Sequence, residues 1–156
     1  MMPGFIATGN DADNTRDQVV GNIAFYPDID VANFVELYRI DTTISDERVV
    51  AALQGAVIST NHDLAEWCIA QKLEGVADIA EVEADQYDDI SALVTHYLTA
   101  VYSKAKAELI EKYRDFDSTG SGHGRADELT TSMDDHRANA LRAIRAITGS
   151  EWAGLI

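Results

Sequence analysis

Hydrophobic side chains recur at three- and four-residue steps along one long stretch of the chain, from Tyr87 to Asp117. This spacing places them on one face of an α-helix. At ~1.5 Å per residue the helix would be roughly 45 Å long, so other helices must lie along it to cover its apolar face. The positions predicted to face inwards are Ile90, Leu93, Val94, Tyr97, Leu98, Val101, Ala105, Leu109, Tyr113 and Phe116. We therefore expect the fold to be built around this central helix.

Two helices are predicted before the central one. The first covers residues 31–38 and can be capped by the Asp30 carboxylate. The second begins after Ser45 and ends near Glu74, because Gly75 follows. A glycine within it, Gly55, favours a close helix crossing. Its apolar stripe consists of Val49, Leu53, Ala56, Val57, Leu64, Trp67 and Cys68 and is interrupted by Thr60 and Asn61. Residues 76–86 are predicted to form an acidic connector over the core.

A last helix is predicted from Asp127 or Thr130 to Thr148, ending at Gly149, after a glycine-rich loop at 118–125. Its inward-facing residues are predicted to be Leu129, Met133, His136, Ala140, Ile144 and Ile147.

Residues 1–22 lack periodicity and are predicted to be a flexible arm, while 150–156 form an apolar tail. The predicted fold is all-α, with a single helical domain over 23–149 made of four main helices, two of them long.

Composition limits the classes of protein that fit. A chain of 156 residues suits one domain, and the single cysteine, Cys68, lies on an apolar helix face and cannot form an intrachain disulfide. The sequence shows neither a signal peptide nor a long apolar run, so we expect the protein to be made and used in the cytoplasm, or in something assembled there, with no membrane partner.

The charge is strongly negative and unevenly distributed. The net charge is −15, and residues 1–103 hold 4 basic and 18 acidic side chains while residues 104–156 hold 8 and 9. An acidic surface of this size repels phosphate, which disfavours tight DNA binding through counterion release. Solubility alone would explain it, as would a surface that lies near DNA without adhering to it.

The chain offers little that resembles an active site. Asp115 to Gly120 resembles the start of a calcium loop, but Ala126 stands where the loop requires a bidentate acid. Paired acids, Asp88-Asp89 and Asp134-Asp135, lie near predicted helix starts, where they complement the helix dipole. The four histidines are on separate segments and lack zinc-binding spacing: His62, His96, His123 and His136. We expect no enzyme activity, no cofactor and no metal.

Basic residues cluster in the central and last helices. They are Lys104, Lys106, Lys112, Arg114, Arg137, Arg142 and Arg145. Acidic residues at three- and four-residue spacings accompany them, which favours intrahelical or intersubunit ion pairs over a phosphate-binding track. The four arginines are therefore candidates for ion pairs at subunit interfaces.

Five segments, in order, resemble one family. They are Phe25 to Asp30 (FYPDID), Arg39-Ile40-Asp41-x-Thr43, 51–67 with Asn61, Leu64 and Trp67, Ala100 to Ala107 leading into Tyr113 to Thr119, and Arg142 to Gly149. Over about residues 22–156 the chain resembles the head completion (head stabilisation) proteins of contractile-tailed temperate phages, the GPL family. Two positions depart from the family pattern: Thr99-Ala100 replaces a basic doublet and Arg137-Ala138 replaces an Arg-Arg pair. Both departures remove positive charge where the family could touch DNA or an acidic partner.

The resemblance implies a structural virion protein that closes the portal vertex of the DNA-filled head. Such proteins are similar to helical head-tail connectors (adaptors), which form a ring, commonly of twelve subunits, between portal and tail. The implied partners are the portal protein, further copies of the chain and a tail-side completion protein, with DNA passing nearby. Docking to the portal is assigned, as a hypothesis, to the tail residues Trp152, Leu155 and Ile156. The alternative is a DNA-binding protein that acts in genome packaging.

Overall fold

The computed structural model describes residues 17–113 and 122–149, with the side chains of all of these except 122–131. Helices account for most of these residues, as the sequence predicts, and form a single compact body. They are α1 Val31–Leu37, α2 Asp46–Asp63, α3 Ala65–Leu73, α4 Ala92–Tyr113 and α5 Gly122–Thr148. Two short antiparallel ladders are also present: β1 Val19–Val20 with β2 Ile29–Asp30, and β3 Gln86–Tyr87 with β4 Ile90–Ser91.

The predicted central helix is α4, and it contacts more of the protein than any other element among the described residues. It packs along its length against α5, which runs antiparallel to it, and on another side against α2. Tyr97, Val101 and Ala105 of its predicted inner face are fully buried. Because Ala100, Tyr102, Ser103 and Ala107 are buried as well, α4 is enclosed on more sides than a single amphipathic stripe requires.

The N-terminal part of the chain is more ordered than the sequence predicts. Strand β1 and Asn22 lie within the stretch assigned to the flexible arm, and Val20 pairs with the buried Ile29. Helix α1 begins where expected, since the Asp30 carboxylate accepts a hydrogen bond from the backbone N–H of Asn33 (2.9 Å). Residues 1–16 of the predicted arm lie outside the described residues.

The predicted second helix is two helices, α2 and α3. The helix is interrupted at Leu64, which has φ −96° and ψ 4° and is completely buried. Asn61, His62 and Asp63 precede the break, and such residues have low helix propensity. Beyond the break, α3 buries Cys68 and places Trp67 against Phe25, with ring centroids 5.9 Å apart. The long uninterrupted helix expected from the sequence was therefore wrong at this point.

The first turn of the predicted central helix is instead a β-hairpin. Tyr87 pairs with Ile90 across a two-residue loop formed by Asp88 (φ +50°) and Asp89 (φ +61°), the pattern of a type I′ turn. A three-residue separation between two apolar side chains fits both a helix face and such a hairpin, so the pattern alone cannot distinguish them. Helix α4 is capped by Ser91, whose hydroxyl accepts from the Leu93 N–H (3.2 Å).

Two glycines end helices as predicted, while a third, Gly55, does not mark the close helix crossing that the sequence suggested. Gly75 (φ +90°) and Gly149 (φ +71°) follow α3 and α5 in the left-handed region that favours glycine. Gly55 does not mark a close approach of two backbones. A Cβ there would meet only the Glu108 carboxylate, at an ordinary 3.5 Å.

None of the helices in the described parts of the chain is both long and apolar enough to cross a lipid bilayer.

Candidate functional site

Three side chains from distant parts of the sequence close a ring of hydrogen bonds near the centre of the protein. Asn22 Nδ2 donates to the Tyr97 hydroxyl (2.7 Å), the Tyr97 hydroxyl donates to Asn61 Oδ1 (2.6 Å), and Asn61 Nδ2 donates to Asn22 Oδ1 (2.9 Å). Asn22 also donates to the Pro27 carbonyl (2.8 Å). The ring joins the N-terminal segment to α2 and α4, and such closed polar networks fix one arrangement of a core.

Aromatic rings surround this hydrogen-bonded ring. Tyr26 stacks on Tyr97 with centroids 4.4 Å apart and planes 5° from parallel, and Phe25 meets Tyr26 and Trp67 edge-on at 5.0 and 5.9 Å. Burial raises the pKa of Tyr97 to about 12. Burial and the neighbouring Cys68 thiol raise the pKa of Tyr26 well above its ordinary value. We call these five residues, Asn22, Phe25, Tyr26, Asn61 and Tyr97, the aromatic clasp.

A second junction joins α1 to both long helices. Tyr38 packs beside the His136 imidazole of α5 (centroids 5.8 Å apart), and its hydroxyl lies 3.3 Å from the Ser103 hydroxyl of α4. His136 Nδ1 is buried without a hydrogen-bond partner among the described residues. Burial, reinforced by the Lys106 charge, lowers the pKa of His136, so the neutral imidazole is the favoured form.

The segment Arg39 to Thr43, one of the five that carry the family resemblance, is a structural turn. The Asp41 carboxylate accepts from both the backbone N–H and the hydroxyl of Thr43 (2.8 Å each), and these bonds lower the pKa of Asp41. Ile40 is buried, and Arg39 adopts φ +50°. The segment thus turns the chain from α1 towards α2.

Arg137 forms ion pairs within the subunit. It contacts Glu111 of α4 (2.9 Å) and, more weakly, Asp134 in its own helix (3.8 Å). The pair with Glu111 joins α5 to α4, so the charge of Arg137 already has a partner within the subunit. Lys104 similarly joins α4 to α2 through Asp63 (2.6 Å).

Arg142 and Arg145 are exposed and have no carboxylate partner among the residues that the structure describes. Arg142 donates to Asn139 in its own helix, and Arg145 lies in the last turn of α5. The proposed role of these arginines in subunit contacts stays a prediction. Arg114, together with the tail residues Trp152, Leu155 and Ile156, lies outside the described residues.

Candidate chemistry is sparse in the described part of the chain. Within 17–113 and 132–149, no group of three or more histidine, cysteine or acidic side chains could hold a metal ion. Cys68 is buried, as the sequence predicts. The segment that resembles a calcium loop, 115–120, falls outside the described residues.

The β3–β4 hairpin presents apolar surface to solvent. Tyr87 is 67% exposed and its cross-strand partner Ile90 is 51% exposed. Asp88 and Asp89 lie between them at the tip of the hairpin. We call these four residues the hairpin tip.

A shallow cleft of about 250 Å³ opens between α4 and α5. It is lined by His96, Thr99, Asn139, Arg142, Ala143 and Ala146. Small side chains form its floor and Arg142 supplies a positive charge. We call it the α4–α5 cleft.

Sequence reasoning missed both of these surfaces. Residues of the hairpin tip were assigned to a helix because their spacing fits one. The cleft needs two helices to be placed side by side, which a single-sequence pattern does not give. One usable signal was the Asp-Asp pair between two apolar residues, since aspartate tolerates the positive φ angles of a tight hairpin.

Comparison with known proteins gives a consistent result. Residues 20–154 match the model of the family described as phage head completion protein (GPL). The chain is 31% identical over 133 residues to the head completion/stabilization protein of Escherichia phage P2, covering 85% of this chain and 79% of that protein. It is 29% identical over 135 residues to the probable head completion/stabilization protein of Haemophilus phage HP1, covering 86% and 89%. No solved structure gives a significant match.

Proposed function

Because the chain belongs to the phage head completion protein (GPL) family, we propose that it completes DNA-filled heads as a structural, non-catalytic ring subunit between portal and tail. The observation that carries the proposal is the family match over residues 20–154. The match spans both the aromatic clasp and the α4–α5 pair, so it includes the whole described helical body. The ring, the portal contact and the position at the vertex are our inferences.

The charge distribution supports a place close to DNA without tight binding. Residues 1–103 hold 4 basic and 18 acidic side chains, and several cations of α4 and α5 are neutralised by neighbours. A surface of this sign would let DNA pass without adhering. The alternative, a DNA-binding packaging protein, requires a phosphate-binding surface, which a net charge of −15 opposes.

Ring assembly requires two different surfaces on each subunit. A head-to-tail contact is heterologous, and it closes into a ring if the rotation between copies permits. Residues 150–156 remain our candidate for portal docking and residues 1–16, with the described 17–22, for contact with a neighbour or a tail-side protein. The protein would then be found in the virion, at the junction of head and tail.

The direct test is completion of heads in vitro. DNA-filled heads assembled without this protein should lose DNA to added nuclease, and adding the purified full-length chain should preserve the DNA and restore tail attachment. If heads lacking the protein retain their DNA and accept tails as well as heads that contain it, the proposal is wrong.

Two binding measurements separate the alternatives. A pull-down with portal protein should capture the full chain, and removal of residues 150–156 should abolish capture if the tail is the docking segment. A gel-shift titration with duplex DNA at ~0.15 M salt should show little binding, whereas a packaging protein would bind and lose affinity steeply with added salt.

A further inference from the structure

The hairpin tip combines exposed apolar surface and negative charge in four residues. Both central residues of a type I′ turn have positive φ, which asparagine, aspartate and glycine adopt most readily. This turn uses aspartate at both positions, Asp88 (φ +50°) and Asp89 (φ +61°), and both are exposed. The turn therefore presents two carboxylates to solvent, where an Asn-Gly turn of the same geometry would present none.

Among the described residues, the apolar members of the tip remain largely exposed. Tyr87 and Ile90 form one cross-strand pair, and each exposes more than half of its side chain. An aromatic ring beside an aliphatic side chain is a common anchor at protein interfaces. The tip is therefore suited to insertion into a complementary recess.

The α4–α5 cleft has the complementary properties. Its alanine and threonine lining can accept an apolar side chain, and about 250 Å³ is enough for one aromatic ring. Arg142 stands in the lining, bonded only to the neutral Asn139 among the described residues. Arg142 is exposed, so its charge is accessible to an acidic partner.

We propose that the hairpin tip of one copy of this protein docks in the α4–α5 cleft of the next copy. Tyr87 fills the cleft above Ala143 and Ala146, while Asp88 and Asp89 pair with Arg142 of the neighbour. The tip is negatively charged and the cleft contains a positive charge, so the tip of a second copy is a complementary occupant of the cleft. In the proposed arrangement each copy offers its tip to one neighbour and its cleft to another, so that the contact is head to tail and propagates, unlike a reciprocal exchange between two copies; it rests on the proposed ring and supplies its subunit interface.

The charge of the tip can be removed without harming the hairpin. Asp88→Asn together with Asp89→Gly creates the preferred type I′ pair, so the hairpin should fold at least as well. In sedimentation of the full-length protein, this variant and Arg142→Glu should each weaken self-association about tenfold. Lys72→Glu makes the same charge change at an exposed position of α3, which supplies no residue to the cleft, and should leave self-association unchanged.

Cross-linking tests the contact itself. Tyr87→Cys and Ala146→Cys variants, mixed and oxidised, should give a disulfide-linked dimer, and a chain that carries both substitutions should give a ladder of products beyond the dimer. The buried Cys68 provides the background, measured in the wild type. The proposal is overturned if the ladder is absent or stops at the dimer, if the wild type remains monomeric at every concentration, or if the tip variant associates normally.

The head completion assay separates this inference from the function it rests on. If the Asn-Gly tip variant protects DNA in heads as well as the wild type does, the tip-to-cleft contact is wrong and the proposed function stands. If the wild type gives no protection, the proposed function fails whatever the cross-linking shows.

Discussion

The aromatic clasp and the hairpin tip each contain a tyrosine beside other apolar side chains, but the two tyrosines lie in opposite environments. In the clasp, Tyr97 is completely buried and its hydroxyl is bonded on both sides by Asn22 and Asn61. At the tip, Tyr87 is 67% exposed and lies beside Asp88 and Asp89, which have no ion-pair partner among the described residues. The first arrangement satisfies its polar groups within the described fold, while the second leaves an aromatic side chain exposed there.

The family resemblance covers the clasp but not the hairpin tip. Its segment Phe25 to Asp30 supplies two rings of the clasp, and Arg39 to Thr43 forms the turn that follows α1. Another of its segments, Arg142 to Gly149, supplies three residues of the α4–α5 cleft. The hairpin tip lies outside all of the segments, so the resemblance includes one side of the proposed contact and not the other.

The largest loss of stability should come from truncating the clasp at Phe25. Phe25→Ala removes a ring that is 1% exposed and leaves a cavity between Tyr26 and Trp67, so we expect about 3–5 kcal/mol less free energy of unfolding. Urea denaturation followed by far-UV circular dichroism measures it. Ile58→Ala, at a side chain that is 71% exposed, should change the same quantity by less than about 0.5 kcal/mol.

An alkaline titration should reveal the burial of Tyr97. Its pKa is about 12 in the folded protein against 10.0 as the reference, so the unfolded chain releases this proton first. The shift in pKa contributes roughly 2–3 kcal/mol to the free energy of unfolding. This contribution is fully present below pH 10 and is lost as the pH rises to about 12.

Tyr97→Phe provides the control for that titration. The difference in unfolding free energy between wild type and variant should shift in favour of the variant between pH 10 and 12. A difference that stays constant over this range would show that Tyr97 ionises alike in both states.

Breaking the hydrogen-bonded ring should have an intermediate effect. Asn61→Leu leaves the Tyr97 hydroxyl and Asn22 Oδ1 each without one partner, and we expect a loss of about 1–3 kcal/mol. Asn33→Leu serves as the matched control, since Asn33 makes one longer side-chain bond, to the Tyr102 hydroxyl (3.3 Å), at an exposed position. If both variants lose equally little in urea denaturation, the ring contributes nothing beyond ordinary contacts.

The features predicted correctly are those that follow from the regular spacing of apolar residues and from the positions of glycines. Burial of Leu53, Val101 and Ile144 follows from helical periodicity, and the ends at Gly75 and Gly149 follow from the conformational freedom of glycine. The break at Leu64 follows residues of low helix propensity, Asn61 to Asp63, but the apolar spacing continues through it, so periodicity alone does not locate it. The hairpin tip was not predicted, because the three-residue spacing of Tyr87 and Ile90 fits a helix as well as a hairpin. The cleft was not predicted, because it depends on how two helices are placed relative to each other.

The smallest effect should come from Arg137, and it distinguishes a scaffold residue from an interface residue. Arg137 and Glu111 are each about half exposed, so breaking their pair with Arg137→Gln should cost only about 0.2–1 kcal/mol in urea denaturation, and less at high salt. A double-mutant cycle with Glu111→Gln isolates the pair. Self-association of Arg137→Gln should match that of the wild type, unlike that of Arg142→Gln. If instead Arg137→Gln alone abolished self-association, the arginine would belong to a subunit contact and its pair with Glu111 would be secondary.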